Sequence, residues 1–154
     1  EEALVDPATG LYTWHGVSRR VRELAAAAER FGRPLACVVF FQEDADRDTE
    51  IPAERAASIA EMLRASTRQS DVLARIGPGE FAVLAPDTPP EGAEILAERL
   101  RDWNGNGKGN GHGEKKAQRF RAGVYAVSDL RQTRLDPMEL ILRASMVSRG
   151  PVVP

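Results

Sequence analysis

A chain of 154 residues with 42% hydrophobic content suits one globular domain with a sizeable core, and nothing in that length calls for two. Its 21 basic and 23 acidic residues leave a net charge of −2, too weak a field to argue for nucleic acid or an anionic membrane as the main partner. The longest apolar run, Leu35 to Phe41, is far too short to cross a bilayer, and no positively charged apolar leader opens the chain, so a soluble domain without membrane insertion is expected. The lone Cys37, inside that run, reads as a buried inert thiol that fits a reducing cytoplasm. Beginning Glu-Glu and ending Pro-Val-Val-Pro, residues 1–154 are expected to be one domain excised from a larger multidomain protein.

After an Asp6-Pro7 turn, Val17, Val21, Leu24, Ala28 and Phe31 recur at three- and four-residue spacing before Gly32, which predicts an amphipathic helix over about 14–31. Leu35 to Phe41 is continuous and rich in Val and Phe, as expected of a central strand covered on both faces. An acidic loop from Glu43 to Glu50 leads to Pro52, placed as the first residue of a helix that carries Ile59, Met62 and Leu63 and runs to about Thr67. Val72 to Ile76 and Phe81 to Ala85 read as strands of a hairpin closed by Gly77-Pro78-Gly79-Glu80. Pro89 and Pro90 open another helix, with Ile95, Leu96 and Leu100 on its buried stripe.

The Asn/Gly-rich tract from Asn104 onward, through about residue 116, reads as a flexible surface loop; a phosphate cradle should follow a strand and open a helix, whereas this tract follows a helix. Phe120 to Val127 is the last strand. Asp136-Pro137-Met138-Glu139 supplies a cap residue, a proline at the first helical position and a carboxylate three after the cap, so a short helix is expected to about Val147. The middle of this order is βαββαβ, which predicts an α+β fold, an antiparallel-containing sheet backed by helices.

Several fragments then fall in one recognisable order. Asp6-Pro7-Ala8-Thr9-Gly10-Leu11 is similar to an Asp-x-Leu-Thr-Gly-Leu opening. Ala74-Arg75-Ile76-Gly77 leads into a Gly-Pro-Gly-Glu-Phe turn, and Val83 to Thr88 and Ala97 to Arg101 are also typical. Together they resemble the GGDEF family of diguanylate cyclases, over most of the chain, and the resemblance implies that family's palm-like sheet.

In that family phosphoryl transfer needs divalent metal held by carboxylates at the end of the first strand and at the third position of the turn. Here those positions carry Phe41, with Gln42 next, and Gly79, and none of these side chains is a ligand for a hard cation. A register two residues later would put Glu43 at the strand end instead. The Asn-Arg expected after the opening is Thr13-Trp14, and the family's lysine-bearing stretch after the first strand and its Tyr-x-Ala-Lys ending are absent. Catalysis, resident metal and cofactor are therefore not expected, a weak cyclase being the remote alternative.

The chemistry of product binding is kept. Guanine offers O6 and N7 to an arginine fork and N–H donors to a carboxylate. Arg68-x-x-Asp71, five residues before the turn, matches the family's inhibitory site for cyclic di-GMP, and Arg99 matches an arginine of that site on the helix after the hairpin. With 18 arginines and 9 aspartates, about one such pair is expected by accident, and a second copy, Arg99-x-x-Asp102, is present; placement distinguishes the first. The plainer readings are a solvated ion pair for Arg68 and Asp71 and a surface helix cation for Arg99. Arg75 either contributes to the site or anchors its strand. His15 and His112 lack partners at ligand spacing and receive no role. The resemblance thus implies a degenerate, catalytically inactive GGDEF domain that receives cyclic di-GMP through Arg68, Asp71 and Arg99. Such a domain signals to a neighbouring domain or partner protein, with a homodimer as an option. The alternative is a dimerisation scaffold that binds no nucleotide.

Overall fold

The computed structural model describes residues 3–43, 50–103 and 120–150. Helix α1 spans Trp14–Phe31, strand β1 Leu35–Gln42, α2 Ala53–Ser66, β2 Val72–Gly77, β3 Glu80–Pro86, α3 Pro90–Arg101, β4 Phe120–Val127 and α4 Met138–Ser148. The expected glycine-rich loop and the acidic residues 44–49 lie outside the described residues.

The four strands form one sheet in the order β2-β3-β1-β4, with every neighbouring pair antiparallel. β1 is interior, paired with β3 and β4 on its two edges, and nearly every one of its residues is buried. Side chains alternate across a strand, so Ala36, Val38 and Phe40 face one core with Ile59, Leu63, Leu96 and Leu100 of α2 and α3. Leu35, Cys37 and Val39 face the other, with Val17, Val21, Leu140 and Ile141 of α1 and α4. The result is a sheet with two helices on each face, and the α+β palm-like arrangement is as expected.

Local chemistry sets the ends of these elements. Thr13 caps α1 by accepting from the Gly16 N–H at 3.1 Å, and Gly32 ends it in the left-handed region at φ 64°. Pro89 precedes Pro90 at the first turn of α3, where a missing N–H costs nothing. The start of α4 differs by one residue from expectation: Pro137 is the cap rather than the first helical residue. Asp136 still accepts from the Met138 N–H at 2.9 Å, while Glu139 pairs with Arg143 at 3.1 Å instead of reaching back to the cap. Pro52 likewise stands just before α2 rather than in it.

Two side chains assigned to apolar stripes are out in solvent. Ile95 is 62% exposed because the buried stripe of α3 is Ala93, Leu96, Ala97 and Leu100, and a residue beside Leu96 is turned about 100° away. Phe31 is 61% exposed at the last position of α1, where its ring meets the guanidinium groups of Arg30 and Arg33 at 5.5 and 5.7 Å.

Candidate functional site

At one end of the sheet two turns face each other. The first links α2 to β2. Asp71 folds it by accepting the Arg68 backbone N–H at 2.9 Å while donating its own N–H to the Arg68 carbonyl at 3.0 Å. The second turn, Pro86-Asp87-Thr88, follows β3. Asp87 adopts φ 55°, a left-handed conformation that Asp tolerates better than most residues, and its N–H is held by the Pro34 carbonyl at 2.9 Å.

Arg68 bridges the two turns. Its Nη2 lies 3.2 Å from Asp71 Oδ1, 2.8 Å from the Pro86 carbonyl and 2.6 Å from Thr88 Oγ1. The side chain of Arg68 is 55% exposed, whereas that of Asp71 is only 3% exposed, so the cation faces solvent and the carboxylate is turned inward beneath it. Between the turns lies a cleft of about 250 Å³ lined by Arg68, Asp71, Thr88, Gly92, Leu96 and Arg99, among others. Arg99 is exposed, and its side chain carries no hydrogen bond or ion pair with the other described residues. The structure therefore brings Arg68, Asp71 and Arg99 to one cleft, with an apolar floor and two cations at its rim. Such a cleft is suited chemically to a flat, anionic, acceptor-rich ligand.

Sequence reasoning missed Thr88 and the Pro86 carbonyl. The turn signal Pro-Asp-Thr was visible, but nothing in a linear spacing of 20 residues links Thr88 to Arg68.

Arg75 does not line that cleft. Its guanidinium is nearly buried, 3.3 Å from Asp6 and 3.2 Å from Glu50, and it donates from Nε and Nη2 to the Pro78 carbonyl at 3.2 and 2.7 Å. It anchors the hairpin turn to the opening Asp6-Pro7 turn. In that opening turn Thr9 donates to Asp6 Oδ2 at 2.6 Å.

At the opposite end of β1, the positions where family metal ligands are expected do not offer a cation cage. Phe41 is buried and pairs in register with Glu80 and Arg121. Gln42 accepts from Arg55, and Glu43 is exposed immediately after the last residue of β1. Register pairing of Gly77 with Glu80 leaves Pro78 and Gly79 as the two turn residues, and buried Glu80 accepts from Ser145 Oγ at 2.6 Å. Among the described residues no three His, Cys, Asp or Glu side chains are grouped to hold a metal ion. A hard divalent cation needs several oxygen ligands, and the side chains of Phe41, Pro78 and Gly79 supply none.

Comparison with known proteins agrees with the fold. The family described as diguanylate cyclase, GGDEF domain, matches residues 56–145. Diguanylate cyclase DgcP of Pseudomonas aeruginosa is 36% identical over 106 residues, which covers 66% of this chain but only 16% of that protein. The GGDEF domain of FimX from Pseudomonas aeruginosa superposes with a TM-score of 0.73 at 20% identity, covering 96% of this chain and 93% of that one. The GGDEF domain of DgcB from Caulobacter crescentus, solved in complex with cyclic di-GMP, gives 0.75 at 15% identity, covering 97% and 90%. At such identities the two structures speak for the fold, and the family match covers more than half of the chain. With the antiparallel sheet, its paired helical layers and the turn sequence in register, this chain belongs to the GGDEF domain family.

Proposed function

We propose that this domain is a catalytically inactive GGDEF module that binds cyclic di-GMP in the cleft of Arg68, Asp71 and Arg99 and reports occupancy to a neighbouring domain or partner protein. The observation that carries the reading is the cleft itself. An outward-facing Arg68, ion-paired at 3.2 Å to Asp71, shares its wall with Arg99, whose side chain has no partner among the described residues. A guanine edge rich in acceptors suits the two guanidinium groups, Asp71 holds Arg68 from beneath, and the apolar floor around Leu96 suits a base. A cytoplasmic location is part of this reading, and the lone, buried, unpaired thiol of Cys37 fits it.

The absence of turnover is read from Phe41 and Gly79, which stand where carboxylates would hold metal beside a triphosphate. The structural relative solved with cyclic di-GMP supports the ligand class. Titration calorimetry is the test. Wild type is expected to take up cyclic di-GMP, Arg68→Ala to stay folded, with a modest drop in melting temperature from the lost bridge to Asp71 and Pro86, and to bind at least about tenfold more weakly, and labelled GTP to remain unconverted with magnesium or manganese. Equal affinities for the two proteins would remove the site, and formation of cyclic di-GMP would remove the inactive reading.

A second reading, a scaffold that binds no nucleotide, is favoured by one feature. Leu142, Met146 and Val147 leave an apolar strip of α4 exposed. A stable dimer in light scattering together with no heat on adding cyclic di-GMP would support it.

A further inference from the structure

We infer that Thr88 is a positioning residue that presets the Arg68 guanidinium for ligand, an inference that rests on the cyclic di-GMP reading of the cleft. Nη2 of an arginine carries two hydrogens. Here it meets three acceptors, Thr88 Oγ1 at 2.6 Å, the Pro86 carbonyl at 2.8 Å and Asp71 Oδ1 at 3.2 Å. The two short contacts account for both hydrogens, and the longer one to Asp71 is at best a shared third. The neutral hydroxyl therefore fixes the guanidinium plane more tightly than the carboxylate named by the sequence motif. Thr88 passes its own hydroxyl hydrogen to the Pro86 carbonyl at 3.0 Å, which leaves its lone pairs turned to Arg68.

This geometry divides the work between the two cations. Both bidentate edges of a guanidinium include Nη2, one paired with Nη1 and the other with Nε, and in Arg68 that nitrogen is already used. Nε–H and Nη1 remain, with no partner among the described residues, together with the flat face of the group. Arg68 thus offers single contacts and a stacking surface held in place before the ligand arrives. Arg99, with no partner among the described residues, keeps its whole fork for the bidentate grip on guanine O6 and N7. Holding a long side chain in its bound geometry removes part of the ordering cost of binding, which is worth roughly five- to tenfold in affinity.

The test compares Thr88→Val, which keeps the volume and removes the hydroxyl, with Thr88→Ser, which keeps the hydroxyl. Nitrogen-detected NMR of the ligand-free domain reads the clamp directly, because restricted rotation about Cζ–Nη2 gives Arg68 distinct, slowly exchanging signals. Those signals are expected in wild type and Thr88→Ser and averaged out in Thr88→Val. In calorimetry with cyclic di-GMP, Thr88→Val is expected to bind about five- to tenfold more weakly and Thr88→Ser within about twofold of wild type, with melting temperatures alike. Wild-type signals or wild-type affinity in Thr88→Val overturns the inference, as does a Thr88→Ser protein that behaves like Thr88→Val. If wild type takes up no cyclic di-GMP, the reading of the cleft fails by itself, and the ligand-free spectra alone decide whether Thr88 holds Arg68.

Discussion

What an arginine does in this domain is decided by which of its donors are already engaged. Arg75 spends its guanidinium on Asp6, Glu50 and the Pro78 carbonyl, and its side chain is nearly buried. Truncation there leaves Asp6 and a turn carbonyl without their cation, so Arg75→Gln is expected to cost about 2–3 kcal/mol in urea unfolding while leaving cleft affinity near wild type. Arg99 is the opposite case, exposed and without a partner among the described residues. Arg99→Ala is expected to leave the melting curve unchanged and to weaken cyclic di-GMP binding at least about tenfold by calorimetry. A loss of stability in that variant would mean that Arg99 serves the fold. The pair Arg68 and Asp71 was legible in the sequence because it is local, a turn of four residues. Thr88 was not, since only the antiparallel pairing of β2 with β3 and the left-handed turn at Asp87 bring it to Arg68.

Between elements, close approach is set by small residues. A side chain at Gly123 of β4 would meet the Ser148 backbone nitrogen at 2.2 Å and the Ala144 carbonyl at 2.6 Å, both backbone atoms of α4. Neither can yield as a side-chain tip would. Gly123→Ala is therefore expected to destabilise by about 2–3 kcal/mol in denaturant unfolding, by lifting α4 from the sheet. A neutral result would show that α4 rides loosely. The extents of the helices and strands were legible from periodicity and from Gly and Pro positions. The outward turn of Ile95 was not, because a stripe of Ala93, Leu96, Ala97 and Leu100 carries two alanines that a hydrophobic pattern underweights beside an isoleucine.

For the whole molecule, the central strand provides a reporter. Cys37 sits in β1 between the two helical layers, and burial, with the nearby Glu80 charge as a smaller cause, pushes its thiol far above the ordinary range. Reaction with a thiol reagent is expected to be negligible in native buffer and to track global unfolding as urea is added, measured by absorbance of the released thiolate. Labelling well below the unfolding transition would reveal local opening of β1. Cyclic di-GMP in the proposed cleft, which only the folded chain forms, is expected to slow that labelling in wild type but much less in Arg68→Ala.

The chain by itself determined the order of elements, the burial of the central strand and the residue types at the site, because each rests on spacing along the backbone or on the side chain's own chemistry. The tertiary structure alone decided that Arg75 is an anchor, that Asp71 turns inward while Arg68 turns out, and that a threonine from a distant turn takes up the donor between them. The physical reason is that a side chain's available hydrogen bonds are whatever its neighbours leave unused, and those neighbours are set by strand pairing and turn conformation rather than by position in the sequence.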